Sequence, residues 1–445
     1  MYGGVILMKT IPNLAKPPTG QSHIQAFRDD LISYLEYAAT QGDLVRVPIP
    51  LTKFYIANHP ALVEEVLLKQ SRSFQKPENL KYVAKQFFGE NVFTSDGEVW
   101  TTLRSAIRPA FNRDRLSEYA QLMIQQTEKV MESWEENQVI EMSESMMDLT
   151  LRTTTLCFFG VNLSNTERGK ELLEFIQLFF QRIQVPPFPK WLPVNSNRRL
   201  KYLVRSQQDF CSRLIEERRL NEQQTNDVLS LLLTSQENDS SGILSDTQIC
   251  NEVFNLFAAG YEVTAYTLAF SLYLLALNPQ KLEKMRSDVQ NIEITSLCNP
   301  DRTFSYLDQV IKESMRLFPV AAVVSRQSIT SLQLQDYILP RKSVLLIPPW
   351  TLHRRPEIYD DPLTFTPERF DGDRTYPKFA YLPFSGGPRA CIGQAFAMMQ
   401  MKINLVMILK KFRPTLLPDY EFKPVFQFNT RPLNGMPMKL ESWDD

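Results

Sequence analysis

The segment "FSGGPRACIG", from Phe384 to Gly393, sets a cysteine in a short glycine-rich loop. A cysteine can act as a nucleophile, a disulfide partner or a metal ligand, and its thiolate is the reactive form. The residues after Cys391 repeat apolar side chains every three or four positions to about Phe412, which predicts a helix. Backbone N–H groups and the helix dipole at that N-terminus favour an anionic sulfur. The loop therefore predicts a thiolate metal ligand, with a buried thiol in a glycine turn as the alternative.

The neighbours of this cysteine fit a flat metal complex. Gly386 and Gly387 allow the loop to curl tightly and approach such a ligand. Arg389 can reach a carboxylate on the same ligand, and Phe384 can shield the sulfur from water. Gly393 permits a ligand or a neighbouring helix to come close. Together these features predict a thiolate bound axially to haem iron.

Composition excludes several other kinds of site. The chain of 445 residues has 49 Lys and Arg against 50 Asp and Glu, a net charge of -1, so no bulk attraction to nucleic acid is expected. Its five cysteines are widely spaced without a CxxC pair, which argues against a zinc cluster or a disulfide framework. The three histidines lack helical spacing to one another. This cysteine usage favours a reducing compartment.

Two apolar stretches bear on membranes. Val5 to Met8 is too short for a signal peptide or an anchor, so we expect a cytoplasmic protein without a membrane anchor. The stretch from Val253 to Leu277 is long enough to span a bilayer, but it contains Glu262 and has no basic flank. We interpret it as the central helix of a large core.

The loop "FSGGPRACIG" matches the F-x-x-G-x-R-x-C-x-G signature of the cytochrome P450 family, the haem-thiolate monooxygenases. The resemblance extends over nearly the whole chain, from about Pro18 onward. Other motifs resemble those of the family in the expected order: "WTTLR" at Trp100 to Arg104, "AGYEVT" at Ala259 to Thr264, "ESMR" at Glu313 to Arg316, and "PERF" at Pro367 to Phe370.

This resemblance implies a fold that is mainly α with small β-sheets (α+β), with a long central helix over a buried haem. It implies an N-terminal tail over residues 1–17 and a single haem domain over residues 18–445. The cofactor would be haem b (iron protoporphyrin IX) with Cys391 as its axial thiolate. By the same resemblance, four residues are expected to contact a haem propionate: Trp100, Arg104, Arg389 and Arg326.

The resemblance also assigns a structural role to three charged residues. Glu313 and Arg316 are three positions apart, so on a helix they share a face and could be an ordinary surface pair. Joined by Arg369, they would form a charge-assisted cluster that locks the cysteine loop from behind.

The central helix departs from the family pattern. The family usually reads [AG]-G-x-[DE]-T-[TS], but here Glu262 is followed by Val263, and a hydroxyl comes only at Thr264. Valine cannot hydrogen-bond, whereas oxygen activation needs protons from positioned groups. Thr264, an ordered water or the substrate's own hydroxyl could take that role. Glu262 as an acid that only stabilises the fold is the alternative. Ala259 and Gly260 leave room for oxygen, or else allow two helices to pack closely.

We therefore expect an enzyme that inserts one atom of O2 into a lipophilic fatty acid, terpenoid or retinoid-like substrate. Apolar segments such as Phe74 to Phe93 and "FIQLFFQRIQVPPF" would line its cavity, unless they are core. Electrons would come from a separate ferredoxin or flavodoxin with its reductase, at basic residues after the Cys391 and Trp100 helices. A monomer is expected. Peripheral contact of the loop at 185–199 with a membrane surface is a further possibility.

Two alternatives remain. The first is a haem-thiolate isomerase, dehydratase or peroxygenase that does not need the usual proton relay. The second is a non-catalytic haem sensor or carrier.

Overall fold

The computed structural model describes residues 9–184, 195–221, 226–239, 242–372 and 374–443. These residues form two compact units. Unit 1 comprises residues 1–79, 312–391 and 424–431, and unit 2 comprises 80–311, 392–423 and 432–445. The chain is thus divided into two compact units, and the expectation of a single haem domain over residues 18–445 stays a prediction.

Helices account for most of the described chain. The α-helices are α1 His23–Asp29, α2 Leu31–Thr40, α3 Pro60–Glu64, α4 Glu78–Phe88, α5 Gly97–Ile107, α6 Arg113–Met131, α7 Met142–Phe159, α8 Glu167–Gln184, α9 Asn195–Asn221, α10 Val228–Glu237, α11 Asp246–Leu277, α12 Pro279–Gln290, α13 Ser305–Leu317, α14 Pro349–Leu352 and α15 Gln394–Lys411. A π-helix follows α3 at Glu65–Lys69, and short 3-10 helices lie at Ser71–Ser73, Arg108–Phe111, Ile294–Cys298, Pro367–Phe370 and Gly387–Arg389.

The strands are short. They are β1 Leu44–Val47, β2 Phe54–Ala57, β3 Phe74–Gln75, β4 Gln138–Glu141, β5 Val324–Ser328, β6 Leu332–Leu334, β7 Tyr337–Leu339, β8 Val344–Ile347, β9 Arg413–Leu416, β10 Pro424–Gln427, β11 Asn429–Pro432 and β12 Pro437–Glu441. The expectation of a mainly α protein with small sheets is confirmed.

Unit 1 is organised around a five-stranded sheet with the order β1-β2-β8-β5-β3. β2 and β8 pair in parallel, with Phe54 opposite Val344, and the other pairs are antiparallel. β1 and β2 lie in the apolar runs "LVRVPIP" and "KFYIA". Two isolated bridges, Lys9 to Tyr337 and Asn13 to Arg46, hold the described end of the predicted tail against this unit.

Residues 24–39 form two helices instead of one continuous helix, because the chain turns sharply at Asp30. That residue has φ -149° and ψ 89°, and its carboxylate accepts a hydrogen bond from the Ser33 N–H at 3.1 Å. An aspartate in this position caps the helix that follows it. Local side-chain chemistry therefore overrides a continuous apolar pattern.

Unit 2 is built around α11, whose side chains are buried along most of its length. It packs against α7 and α15, and α15 also packs against α6. A three-stranded antiparallel sheet with the order β4-β12-β9 belongs to the same unit. This burial confirms the interpretation of the apolar stretch from Val253 to Leu277 as a core helix.

None of the helices within the described residues is both long enough and apolar enough to cross a bilayer. Of the loop predicted at 185–199, residues 185–194 lie outside the described residues. Its remaining residues, 195–199, begin α9 instead of continuing a loop.

Candidate functional site

The cysteine loop belongs to unit 1 and closes on itself. The Cys391 N–H donates to the Phe384 carbonyl at 2.9 Å, and the 3-10 turn Gly387–Arg389 lies between them. Helix α15 begins at Gln394, with Gly393 as the residue before it. The cysteine therefore precedes the helix by three residues, while the predicted helix end near Phe412 is confirmed.

The two loop glycines are explained by close approach to distant parts of the chain. Gly387 has φ +70°, and a Cβ built there would lie 1.7 Å from the Leu67 carbonyl oxygen. A Cβ on Gly386 would lie 2.4 Å from Cε1 of Phe379. Any larger residue would have to displace backbone or an aromatic ring. Their role in approaching a flat ligand stays a prediction.

The cysteines, which all lie in the described part of the chain, differ sharply in environment. Cys391 is exposed and Cys298 half-buried, whereas Cys157, Cys211 and Cys250 are buried. Burial raises the pKa of the Cys157 thiol, and a hydrogen bond with Cys250 raises that of Cys211. Those buried thiols are poor sources of thiolate. The loop cysteine is the one placed to act as a ligand.

The structure brings Glu313, Arg316 and Arg369 together in a buried cluster of unit 1. Arg316 and Glu313 are fully buried and form a bidentate pair, with Nε to Oε2 at 2.7 Å and Nη2 to Oε1 at 2.8 Å. Arg369 Nε donates to Glu313 Oε1 at 3.3 Å. A bidentate pair of this kind fixes geometry as well as charge.

The two arginines extend this cluster to the backbone. Arg316 donates to the carbonyls of His353 and Pro362 at 2.9 and 2.6 Å, and Arg369 donates to that of Asp361 at 2.9 Å. The segment from 353 to 370 is therefore fastened to α13 by several charge-assisted hydrogen bonds.

His353, to which no chemistry was assigned, supports the chain just before the cysteine loop. Its Nε2 accepts the Leu382 N–H at 2.8 Å. Burial lowers the pKa of His353 to about 3, so the ring is neutral and free to accept. Nearby, the Tyr381 hydroxyl donates to the Lys312 carbonyl at 2.9 Å. No sequence spacing signals these contacts, because they join residues 29 and 69 positions apart.

The residues expected to hold carboxylates fall in both units. In unit 1, Arg326 is buried on β5 and donates to the Ser325 carbonyl at 2.9 Å, while Arg389 is half-buried. In unit 2, Trp100 and Arg104 are half-buried on α5, with the guanidinium carbon 5.7 Å from the indole ring centre. Their binding to a propionate stays a prediction.

The middle of α11 differs from the rest of that helix. Ala259 is exposed, and Gly260 and Val263 are half-buried, although most of the helix is covered. A Cβ on Gly260 would meet Phe158 and Thr154 carbons at 3.7 Å, which is an ordinary contact. Packing alone therefore tolerates alanine at this glycine.

Hydroxyl groups in this part of α11 bond back to their own helix. The Thr264 hydroxyl donates to the Gly260 carbonyl at 2.8 Å, and Thr267 donates to that of Val263 at 2.8 Å. Such i to i−4 bonds occupy the hydroxyl proton and leave the oxygen able to accept. Glu262, on the same helix, is 7% exposed.

Comparison with known proteins identifies the family. A family model described as Cytochrome P450 matches residues 20–439. The chain belongs to the cytochrome P450 family. As a member of it, the protein is a haem monooxygenase.

Three relatives illustrate the match. The protein is 30% identical over 406 residues to a cytokinin hydroxylase of Arabidopsis thaliana, covering 86% of this chain and 78% of the relative. It is 28% identical over 404 residues to a cyclooctat-9-en-7-ol 5-monooxygenase of Streptomyces melanosporofaciens, covering 89% and 88%. A crystal structure of the cytochrome P450DA heme domain superposes with a TM-score of 0.86 at 23% identity, covering 98% of both chains. This last likeness confirms the expected P450 fold.

The chemistry of the donor set fits the haem that this P450 family implies. Cys391 offers an exposed thiol, and Arg389 and Arg326 belong to the same unit. A thiolate suits iron, and guanidinium groups suit the carboxylates of a porphyrin. Cys391 would hold the metal, and the arginines would hold the propionates.

Glu252 is a buried acid on α11 that sequence reasoning missed. Its Oε1 accepts the Val92 N–H at 2.7 Å, and its Oε2 has no hydrogen-bond partner among the described residues. Burial raises the pKa of Glu252 to about 8, so it is protonated at neutral pH. Its contact with Val92, 160 positions away, carries no local sequence signal.

Proposed function

We propose that this P450 inserts one oxygen atom from O2 into a lipophilic substrate such as a fatty acid, terpenoid or retinoid-like molecule. The observation that carries the proposal is the accessible patch of small residues in the middle of α11, where Ala259 is exposed and Gly260 and Val263 are half-buried while most of the helix is buried. Small apolar side chains there leave space for oxygen and for a hydrocarbon surface. The two enzymes compared above are named as a hydroxylase and a monooxygenase of organic substrates.

Glu262 and Thr264 are the residues that we assign to proton handling. Haem with a thiolate ligand supplies the activation of O2 when bound, and the protein must bring protons to it. The Glu262 carboxyl is buried on the same helix as Thr264, whose oxygen can accept a further hydrogen bond. The acid would release a proton to a water or substrate hydroxyl held by Thr264.

The phenylalanines expected to line the substrate cavity pack mainly on one another. Phe87 and Phe88 of α4 lie 4.9 to 5.4 Å, centre to centre, from Phe175 and Phe179 of α8. Edge-on and tilted contacts at these distances are typical of an aromatic core. These ring contacts favour a rigid wall of the cavity over flexible side chains that adapt to the substrate.

One observation favours a second candidate, a haem-thiolate isomerase, dehydratase or peroxygenase. Val263 contributes no hydroxyl, and the Thr264 proton is already used within α11. A reaction that draws no protons from this helix is compatible with both features.

The electron donor we propose is a separate ferredoxin or flavodoxin. Several cations expected to form its docking site already have partners: Lys402 lies 2.8 Å from Asp308, and Arg113 lies 3.1 Å from Asp301. The Arg113 pair is exposed and contributes little, so an acidic partner can compete for it, whereas both side chains of the Lys402 pair are only 13% exposed. Arg108 is exposed as well.

The test is turnover of the haem-loaded protein with a surrogate ferredoxin, its reductase and NADPH. Lipophilic compounds that shift the ferric Soret band are screened, and products are analysed by mass spectrometry. Products heavier by one oxygen, labelled from 18O2, are expected. Conversion without O2 or NADPH would select the second candidate, and a panel without any Soret shift would overturn the substrate class.

A further inference from the structure

The surface of unit 2 holds a pocket of about 390 Å³ between α4 and α9. This volume is within the range of small-molecule sites. It does not involve the residues assigned above to haem, oxygen or protons. Its wall combines cationic, amide and apolar side chains: Lys201, Arg205, Gln86, Gln208, Leu200 and Val204.

The two cations of this pocket are four residues apart on α9, so they share a face and repel each other. Among the described residues, neither Lys201 nor Arg205 has a carboxylate within ion-pair distance, and no described lining residue is acidic. Other arginines of the same helix are paired. Arg199 bonds to Glu174, and Arg218 lies 2.7 Å from Asp227.

The remaining lining residues indicate what kind of anion would fit. The side-chain amide nitrogen of Gln86 is buried without a hydrogen-bond partner among the described residues, and Gln208 offers a second amide. Amide N–H groups donate to anionic oxygens. Leu200, which is buried, and Val204, which is half-buried, form an apolar part of the wall. An inorganic ion would leave this apolar surface and most of the volume unused.

We propose that the α4–α9 pocket binds an amphipathic carboxylate, with its head between Lys201 and Arg205 and part of its alkyl chain against Leu200 and Val204. The bound anion relieves the repulsion between the two cations, and the chain removes apolar surface from water. We place this site apart from the haem, although Gln86 belongs to the segment from Phe74 to Phe93 that is expected to line the substrate cavity. The Soret band tests that separation.

The test uses dodecanoate, below its micellar concentration, as the probe. Binding to the haem-loaded full chain is measured by calorimetry, and the Soret band is recorded in the same titration. We expect binding that leaves the Soret band unchanged, weakens with added salt and is not reproduced by dodecyltrimethylammonium, which has the opposite charge.

The decisive variant is the double substitution Lys201→Gln and Arg205→Gln. It should weaken dodecanoate binding roughly tenfold or more, because two charged hydrogen-bond donors are lost. Arg213→Gln, on the same helix and outside the pocket, is the matched control and should bind as the parent does. Both variants should unfold at the same denaturant concentration as the parent.

Three outcomes would overturn the proposal. One is dodecanoate binding that shifts the Soret band and is unaffected by the double variant, which places the probe at the haem. The second is equal binding of dodecanoate and dodecyltrimethylammonium. The third is binding only to vesicles containing phosphatidylglycerol, which indicates a membrane contact instead of a pocket ligand. The first outcome would make dodecanoate a candidate substrate and would agree with the proposed function, whereas the other two do not test substrate oxidation.

Discussion

Two regions of this P450 place buried acids in contrasting surroundings. In unit 1, Glu313 is fully buried and accepts from Arg316, Arg369 and the Thr366 N–H. In the middle of α11, Glu262 is buried on a helix whose Thr264 hydroxyl donates to its own backbone. The first region holds its acid with two arginine side chains, and the second places its acid on the central helix two positions before a threonine.

This contrast separates an acid that supports the fold from an acid that we assign to the reaction. A carboxylate that accepts hydrogen bonds from two guanidinium groups fixes the geometry of the chain around it. Oxygen activation instead needs an acid that transfers protons, and Glu262 is the acid that we propose for that role. We therefore expect substitutions in the Glu313 cluster to reduce stability, and substitutions at Glu262 to reduce turnover.

The largest effect is expected for Arg316→Leu. The change leaves Glu313 partly uncompensated and three backbone carbonyls without their donor, so the free energy of unfolding should fall by about 3–5 kcal/mol. Urea unfolding followed by circular dichroism measures it. Lys170→Leu is the control, since Lys170 and Glu167 form an exposed pair at the same spacing. Equal losses in both variants would contradict the supporting role.

Glu262→Gln should lower the rate of product formation about a hundredfold without unfolding the protein, because the proton donor is lost. The solvent isotope effect on kcat should rise, which a merely structural change would not produce. Glu252→Gln is the matched control on the same helix: that acid keeps its proton at pH 7, so its rate should stay near that of the parent. A similar loss in both variants would remove Glu262 from the reaction.

Gly387→Ala should destabilise the cysteine loop by roughly 2 kcal/mol more than Gly20→Ala. Both glycines have positive φ, +70° and +74°, but only Gly387 has a carbonyl where the new Cβ would lie. The strain from a positive φ is common to both positions, whereas the clash with a carbonyl oxygen occurs only at Gly387. Chemical denaturation gives the two losses. If they were equal, the approach to Leu67 would not explain the glycine.

Glu252 makes stability depend on pH. Its pKa is about 8 in the folded chain against an ordinary value of 4.5, so the unfolded chain releases a proton that the native state retains. Stability from this group is therefore present below pH 4.5, is lost as pH rises to about 8, and is constant above it. Between pH 6 and 7.5, the free energy of unfolding of Glu252→Gln should rise by up to about 2 kcal/mol relative to that of the parent. If the urea midpoints of the parent and of Glu252→Gln changed equally with pH, this prediction would be contradicted.

Features coded by local spacing could be predicted from the sequence. The helix after Cys391, the shared face of Glu313 and Arg316, and the apolar core helix all follow from periodicity. The function that we propose for the loop rests on a signature of closely spaced residues. The fold as a whole was reached by resemblance, because no periodicity specifies how helices and sheets assemble.

Features that depend on distant contacts could not be predicted. Leu67 and Phe379 explain the loop glycines only once the chain is folded. The same holds for His353 beneath Leu382, and for Glu252 opposite Val92. The break at Asp30 depends on a capping hydrogen bond that competes with a continuous apolar pattern.

The ligation of haem iron by Cys391 is the central claim, and a carbon monoxide spectrum of the reduced, haem-loaded protein tests it most directly. The parent should show the red-shifted Soret band of a thiolate-ligated carbonyl haem. Cys391→Ser should lose that band, while Cys298→Ser, a half-buried cysteine elsewhere, should keep it. Absence of the band from the intact parent, or its survival in Cys391→Ser, would contradict the claim.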